Sequence, residues 1–525
     1  YAWSMIKKKT KGLRVSSRLI ARTLKKAGLP YNLKYAEEHL ADEHLEAAYK
    51  HYYSIKGSHK ELRKTATEKR AEALAEEGRL DKVKVLKEIR ERENQRSTAR
   101  KIRYLRGKIS TGSTTIVTIN DVHGNKVDLT NKEDIERAII TNNESKYKQS
   151  FHTPFLQPPL VGDFGFQGLT PASQQVLAGC YIPDDSIDPY AQDIIKEWAT
   201  PQPIKELGPQ QMEITVQNYQ QFWKKAKENT SCYPDDLSFS TMKAGASSEL
   251  IAELECRLNN IPLQSGYVPS RWKKCTDVMI LKKSGNTLLS ALRTIVLFPV
   301  DCNFAFKHIG REMMRLGEKT MSIAPEQYGS RKSHRAIDLA VNKALTNDIL
   351  RQLKRPGAIC CNDAKSCYDL IGHAQASISM QRLGVPKQAV SCLFGTLQGA
   401  IHQVRTAYGD SEFTYGGVSH DTPMHGVGQG NGAGPAIWAA VSTPILNMLR
   451  SKGFGCEFVA PFSLKVTQFV GYSFVDDTDL IVSKSDFSAE QAIASLQCSL
   501  DTWEGGLKAT CGALVPEKTY WYLID

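Results

Sequence analysis

Three adjacent aspartate pairs occur in this 525-residue chain: Asp184-Asp185, Asp235-Asp236 and Asp476-Asp477. The first two follow prolines in polar settings that read as turns or caps. The third lies in Thr467-Gln-Phe-Val-Gly-Tyr-Ser-Phe-Val-Asp-Asp-Thr-Asp-Leu-Ile-Val-Ser483, between runs rich in β-branched and aromatic residues. That pattern predicts a β-hairpin with two carboxylates at its tip. Neighbouring anions at the end of buried strands repel each other and resist burial, a conflict that a divalent cation resolves. Mg²⁺ favours oxygen ligands and keeps waters or substrate phosphates in its shell. Two such ions roughly 4 Å apart stabilise both the attacking and the leaving oxygen of an in-line phosphoryl displacement. Taken by itself, the hairpin reads better as an ordinary Asp-containing turn.

A third carboxylate is available upstream, in Pro356-Gly-Ala-Ile-Cys-Cys-Asn-Asp-Ala-Lys-Ser-Cys-Tyr-Asp369. A short apolar strand ends there at Asp363, and an aromatic residue, Tyr368, follows five places later. Laid beside the hairpin, this strand would bring Asp363 to the same ions. Between the two segments lies Gly426-Val-Gly-Gln-Gly-Asn-Gly-Ala-Gly-Pro-Ala-Ile-Trp438, with five glycines in nine residues and a helical pattern running on to about Leu449. Such a loop permits close backbone approach to a ligand. It lacks the lysine of a phosphate-binding P-loop.

In this order, the elements resemble the reverse transcriptase family, most closely its non-LTR retrotransposon branch, from roughly Thr230 to the C-terminus. Asp363-Ala-Lys-Ser-Cys-Tyr-Asp369 is similar to the first catalytic motif, Gly428-Gln429-Gly430 to the nucleotide-contacting Gln-Gly motif, and Phe474-Val-Asp-Asp477 to the aromatic-x-Asp-Asp signature. Pro269-Ser-Arg-Trp272, Ile280-Leu-Lys-Lys283 and Leu292-Arg293-Thr-Ile295 resemble the fingers segment. Glu326-Gln327-Tyr-Gly329 through Arg335 and Asp338 resembles the Gln-x-Gly-aromatic stretch before the palm, with aromatic and glycine transposed. Gly506-Leu507 and Pro516-Glu-Lys518-Thr519 resemble the later palm motif with its lysine. The chain departs from the family pattern at Gly434-Pro435, where Ser-Pro is usual, at Thr294 after Arg293, where Pro is common, and at Phe474, where Tyr is more usual.

The resemblance implies an α+β right-hand polymerase with fingers over residues 210–355 and palm over 356–525, a mixed connector over 111–209 and a truncated thumb. It implies RNA-directed DNA polymerase activity on an RNA template, a DNA primer and dNTPs. Asp363, Asp476 and Asp477 would hold two Mg²⁺ ions, for which Mn²⁺ could substitute. Tyr368 would lie under the incoming sugar and clash with a 2′-hydroxyl; a half-buried core tyrosine is the plainer reading. Gln429 and Gly430 would pack against the nucleotide, or simply cap the helix that follows. Arg293 and either Lys282 or Lys283 would grip the triphosphate. Lys518 would donate a proton to pyrophosphate, or be structural. An RNA-dependent RNA polymerase is the nearest alternative, although it usually carries Gly-Asp-Asp and a Ser-Gly motif. A domesticated, catalytically silent nucleic-acid-binding element is the alternative from another class.

The rest of the chain sets the frame for this chemistry. Residues 1–110 hold 29 Lys and Arg against 14 Asp and Glu, whereas residues 111–525 hold 39 against 42. The whole basic excess therefore sits in an N-terminal segment with helical periodicity (Leu80, Val83, Leu86, Ile89), as expected of a nucleic-acid-binding arm. A solvated helical spacer has the same composition. Thr114 to Ile119 reads as a strand, Asp121-Val122-His123-Gly124 as a turn, and a short helix follows from Asn131. The twelve cysteines include no Cys-x-x-Cys pair, so neither a zinc knuckle nor a disulfide framework is legible. Absence of a signal peptide or membrane-length apolar run suggests an intracellular protein of nucleus or cytoplasm.

Overall fold

The computed structural model describes residues 115–147 and 168–524, apart from 122, 209, 235–236, 284, 418–423 and 461. The basic arm of residues 1–110 and the Asp235-Asp236 pair lie outside the described residues. The described chain opens with β1 (Val117–Asn120), β2 (Lys126–Leu129) and α1 (Lys132–Tyr147). Six helices follow: α2 (Pro171–Ala178), α3 (Pro189–Glu197), α4 (Gln202–Leu207), α5 (Val216–Lys225), α6 (Phe239–Gly245) and α7 (Glu249–Ser265). Next come β3 (Lys274–Leu281), β4 (Leu292–Leu297), α8 (Val300–Lys319), α9 (Ala336–Leu353) and β5 (Gly357–Asp363). Then α10 (His373–Arg382), α11 (Lys387–Gln398), β6 (Ile401–Thr406), β7 (Gly409–Gly416) and α12 (Gly434–Ser451) follow. The remainder is β8 (Cys456–Val459), β9 (Val466–Phe469), β10 (Gly471–Phe474), β11 (Asp477–Val482), α13 (Ala489–Ala509) and β12 (Tyr520–Ile524).

Local sequence fixes several of these boundaries. Ser488 and Gln491 form a reciprocal capping box at the start of α13, satisfying two donors that the first turn leaves orphaned. Thr170, Thr215 and Ser238 cap α2, α5 and α6 through side-chain oxygens. Pro435 stands in the first turn of α12, where a missing N–H removes nothing. Asp184, from the first aspartate pair, accepts the Ser186 N–H at 2.9 Å, an Asx turn as its context suggested.

One four-stranded sheet has the order β10-β11-β5-β12, with every neighbouring pair antiparallel. Side-chain alternation along β5 feeds two cores. Ala358 and Cys360 join the large cluster shared with α12 and α13, while Ile359 and Cys361 join Leu350, Tyr472, Ile481 and Ile524 beneath α9. Coverage on both faces is why β5 reads as an unbroken apolar run rather than an alternating one. The outer edge of β10 is also covered. Ser473 N–H donates to Glu326 O at 2.9 Å and Tyr328 N–H to Ser473 O at 2.7 Å. An edge that would otherwise template association is thereby closed. Glu326, 2% exposed, accepts from Arg450 at 2.8 and 2.6 Å and from the Val470 N–H at 3.1 Å.

A second four-stranded sheet runs β4-β3-β6-β7, parallel only between β3 and β6. Strands β6 and β7, which follow the boundary drawn at residue 355, complete what β3 and β4 begin. Helix α1 covers this sheet through Ile135, Ile139 and Tyr147, packed with Met279, Leu292, Val404 and Tyr415. Hairpin β1–β2 is tied to the β3–β4 loop by Thr118 N–H to Thr287 O at 2.9 Å. Residues 117–147, read from the sequence as strand, turn and short helix within the mixed connector, form β1, β2 and α1 packed on this sheet. Within the sheet, the fully buried Asp277 is met by His402 Nδ1 at 3.0 Å and by the Tyr415 hydroxyl. Among the described residues, no helix is long and apolar enough to cross a membrane.

Candidate active site

Strand pairing brings the three carboxylates together. Asp363 ends β5 and Asp477 begins β11, and the two are direct register partners. Asp476 lies between β10 and β11 in the two-residue turn, and its carbonyl accepts the Ala364 N–H at 3.2 Å. Like charges directly opposite on neighbouring strands destabilise a sheet. The consequence is visible in the acid strengths. Burial, then the Asp477 and Asp363 carboxylates, push Asp476 above the usual carboxylate range despite a backbone hydrogen bond and Lys518. Burial, then Asp363 and Asp479, push Asp477 up as well. Lys518 ion-pairs with Asp363, and that hydrogen bond holds its ammonium above the ordinary range.

Cationic charge at this rim would relieve the repulsion, and carboxylate oxygens are the donor set that Mg²⁺ prefers. Among the described residues, no three acidic, His or Cys side chains close around one point as a cage. The carboxylates form an open rim with Lys518 against one of them, which suits an ion whose remaining ligands are waters and phosphates.

The turn itself is strained. Val475 has φ of 62°, an unusual conformation for a β-branched residue that costs on the order of 1–3 kcal/mol. Its carbonyl accepts the Trp438 indole N–H at 2.5 Å, so α12 holds the turn from one side. Trp438 closes the Gly-rich segment in sequence, but its partnership with the turn carries no sequence signal.

Lys146, Arg293 and Lys518, from separate elements, all act on the charge of Lys282. Lys282 follows β3, and burial together with the charges of Lys146, Arg293 and Lys518 holds it below the usual ammonium range. Arg293 lies on β4 opposite Ile280. Lys283, one residue further along, is exposed as Lys282 is, so exposure does not choose between the two adjacent lysines. Sequence reasoning missed Lys146, at the end of α1. Its ammonium pairs with Asp369 at 2.5 Å, and Tyr147 donates to the same carboxylate at 3.2 Å.

The Gly-rich loop lies against β4. Val296 N–H donates to Gln429 O at 2.7 Å. At Gly430, with φ of 131°, a Cβ would come within 2.2 Å of Val296 O; only glycine fits. Asn303, another residue missed from sequence, clips the loop from α8: Gly432 N–H donates to its Oδ1 at 2.6 Å and its amide donates to Gly430 O at 3.2 Å. A cleft of about 930 Å³ is lined by Tyr368, Gln429, Gly430, Phe222, Lys307 and Arg311. Burial pushes the Tyr368 phenol up. Lys307 and Arg311 sit 5.6 and 5.1 Å from the centre of the Phe222 ring, within cation–π range.

Residues 280–518 match the family described as reverse transcriptase (RNA-dependent DNA polymerase). The match opens at Ile280, so Pro269-Ser-Arg-Trp272 lies outside it. No curated protein matches the chain. The stretch from 280 to 518, which contains the paired carboxylates, the Gly-rich loop and Lys518, is thus similar to a reverse transcriptase domain.

Proposed function

We propose that the chain extends a DNA primer on an RNA template by nucleotidyl transfer from dNTPs, as a polymerase of non-LTR retrotransposon type. The observation that carries this reading is the register pairing of Asp363 with Asp477, with Asp476 in the adjoining turn. On this reading, the β10-β11-β5-β12 sheet with α9, α12 and α13 is the palm, and the β4-β3-β6-β7 sheet belongs to the fingers.

Asp363, Asp476 and Asp477 would hold two Mg²⁺ ions, or Mn²⁺ in their place. When bound, the ions supply charge neutralisation to the attacking primer oxygen and the leaving pyrophosphate. Arg293 presents its planar fork to the triphosphate and Lys282 or Lys283 adds a point charge. Tyr368 lies beneath the sugar and obstructs a 2′-hydroxyl. Gln429 and Gly430 form the wall against which the nucleotide packs. Lys518, released from Asp363, donates a proton to pyrophosphate. Orientation and fixed charge do most of the work.

Labelled dNTP and rNTP incorporation on an RNA template with Mg²⁺, using Asp476→Ala as control, tests the reading. The expected outcome is dNTP incorporation well above rNTP incorporation, lost in Asp476→Ala. Equal signal from the variant would sink the enzymatic reading, and rNTP preference would favour an RNA polymerase instead.

A further inference from the structure

We infer that Gln327 is a positioning residue that sets the Asp476-Asp477 turn through its side-chain amide. The inference rests on the function proposed above. Gln327 is fully buried, and every polar atom of its amide is engaged. Its Oε1 accepts the Val475 N–H at 3.0 Å and the Gly329 N–H at 2.9 Å. Its Nε2 lies 3.1 Å from Ser473 Oγ, 3.2 Å from Ser442 Oγ and 3.3 Å from Val475 O. Because two backbone N–H groups can only donate, the amide has one workable orientation.

Gln327 therefore holds both the N–H and the C=O of Val475, the residue whose left-handed backbone aims the two aspartates. The contact is reinforced along the chain. Gln327 bridges Ser473 as a short parallel ladder at the edge of β10. At Gly329 a Cβ would stand 2.5 Å from Val475 N, so the segment presses on the turn closely enough to exclude any larger residue. A β-branched residue does not keep this conformation unless its surroundings impose it. The amide supplies that constraint at the backbone of the turn.

The test uses the whole chain with Gln327→Met, which keeps most of the volume and removes the amide. Hydrogen exchange, Mn²⁺ binding by electron paramagnetic resonance, and single-nucleotide incorporation are measured together. The expected result is exchange of the Val475 to Asp477 amides accelerated about tenfold, with Cys360 in β5 unchanged. Mn²⁺ affinity falls several-fold, and kcat falls about tenfold while KM for dNTP changes less than about twofold. Adding Val475→Gly, which adopts positive φ without help, restores most of the kcat. Gly329→Ala, whose added Cβ would press on both Val475 N and Gln327 Oε1, gives the same signature if Gln327→Met fails to fold. Wild-type turn exchange and Mn²⁺ affinity in a folded variant would overturn the inference, as would uniform loosening of the whole sheet. Exchange and Mn²⁺ binding need no turnover, so a wild-type chain that incorporates nothing counts against the proposed function alone.

Discussion

Asp476 and Asp477 combine two demands that conflict at the level of single side chains. A rim that attracts divalent cations must carry negative charge, and burial beside Asp363 makes that charge unfavourable when the cation is absent. Both carboxyls lie above their ordinary range in the fold. As pH rises past about 4, the unfolded chain ionises these groups first, so stability falls until the folded carboxyls ionise too, and the full penalty stands at neutral pH. Asp476→Asn is therefore expected to raise the melting temperature by about 1–3 °C at pH 7 in chelator, an increment that shrinks as pH drops to about 4. The same variant is expected to lose incorporation by at least about a hundredfold. Thermal denaturation across pH, with and without Mg²⁺, checks the first; if the melting temperature falls at pH 7, the repulsion account is wrong. Tyr368 offers a separate check. Tyr368→Ala is expected to raise rNTP use relative to dNTP about tenfold or more, as a group of several atoms is removed from beneath the sugar.

Element by element, the sequence was informative where a segment carries its own pattern. The hairpin around Asp476-Asp477 was legible because β-branched and aromatic runs bracket the charges, and the strand ending at Asp363 because it is a short apolar run; they appear as β10, β11 and β5. The helical pattern after the Gly-rich loop appears as α12. What the sequence did not show is pairing between distant segments. Register between β5 and β11 is set by tertiary packing. Tyr147 and Asp369 meet across 222 residues, and nothing in the sequence around Lys146 marks it as the partner of Asp369. Gln327 was noticed for its motif, but its grip on Val475 depends on a turn that only the folded chain supplies. The packing of α1 onto the loop at Asp369 makes a prediction of its own. Asp369 is 1% exposed, so Lys146→Met strands a buried charge, whereas Asp369→Asn with Lys146→Met removes both partners. The pair is expected to show a coupling energy of about 1–3 kcal/mol in a double-mutant cycle of chemical denaturation. Additivity would mean that the ion pair is incidental.

At the scale of the whole molecule, both sheets are closed by segments far apart in the chain. Strands β3 and β4 wait for β6 and β7, and β5 waits for β11 and β12. Non-local pairing of this kind slows folding, because loop closure is required before contacts reward it. The uneven charge belongs to this scale as well. With the basic excess confined to residues 1–110, removing that segment is expected to weaken RNA binding and flatten its dependence on salt. An unchanged slope in a filter-binding titration would assign the segment a spacer role.

The central place of β5 has a consequence for synthesis on the ribosome. Gly357 to Asp363 is translated on the order of a hundred residues before either strand that flanks it. At bacterial-to-eukaryotic elongation rates that interval is roughly 5 to 25 s. Throughout it, a sticky apolar ribbon with both hydrogen-bonding edges open is exposed to other nascent chains. Products released before residue 470 should therefore partition into the pellet while the 525-residue chain stays in the supernatant, and co-expressed holdase should matter most during that window.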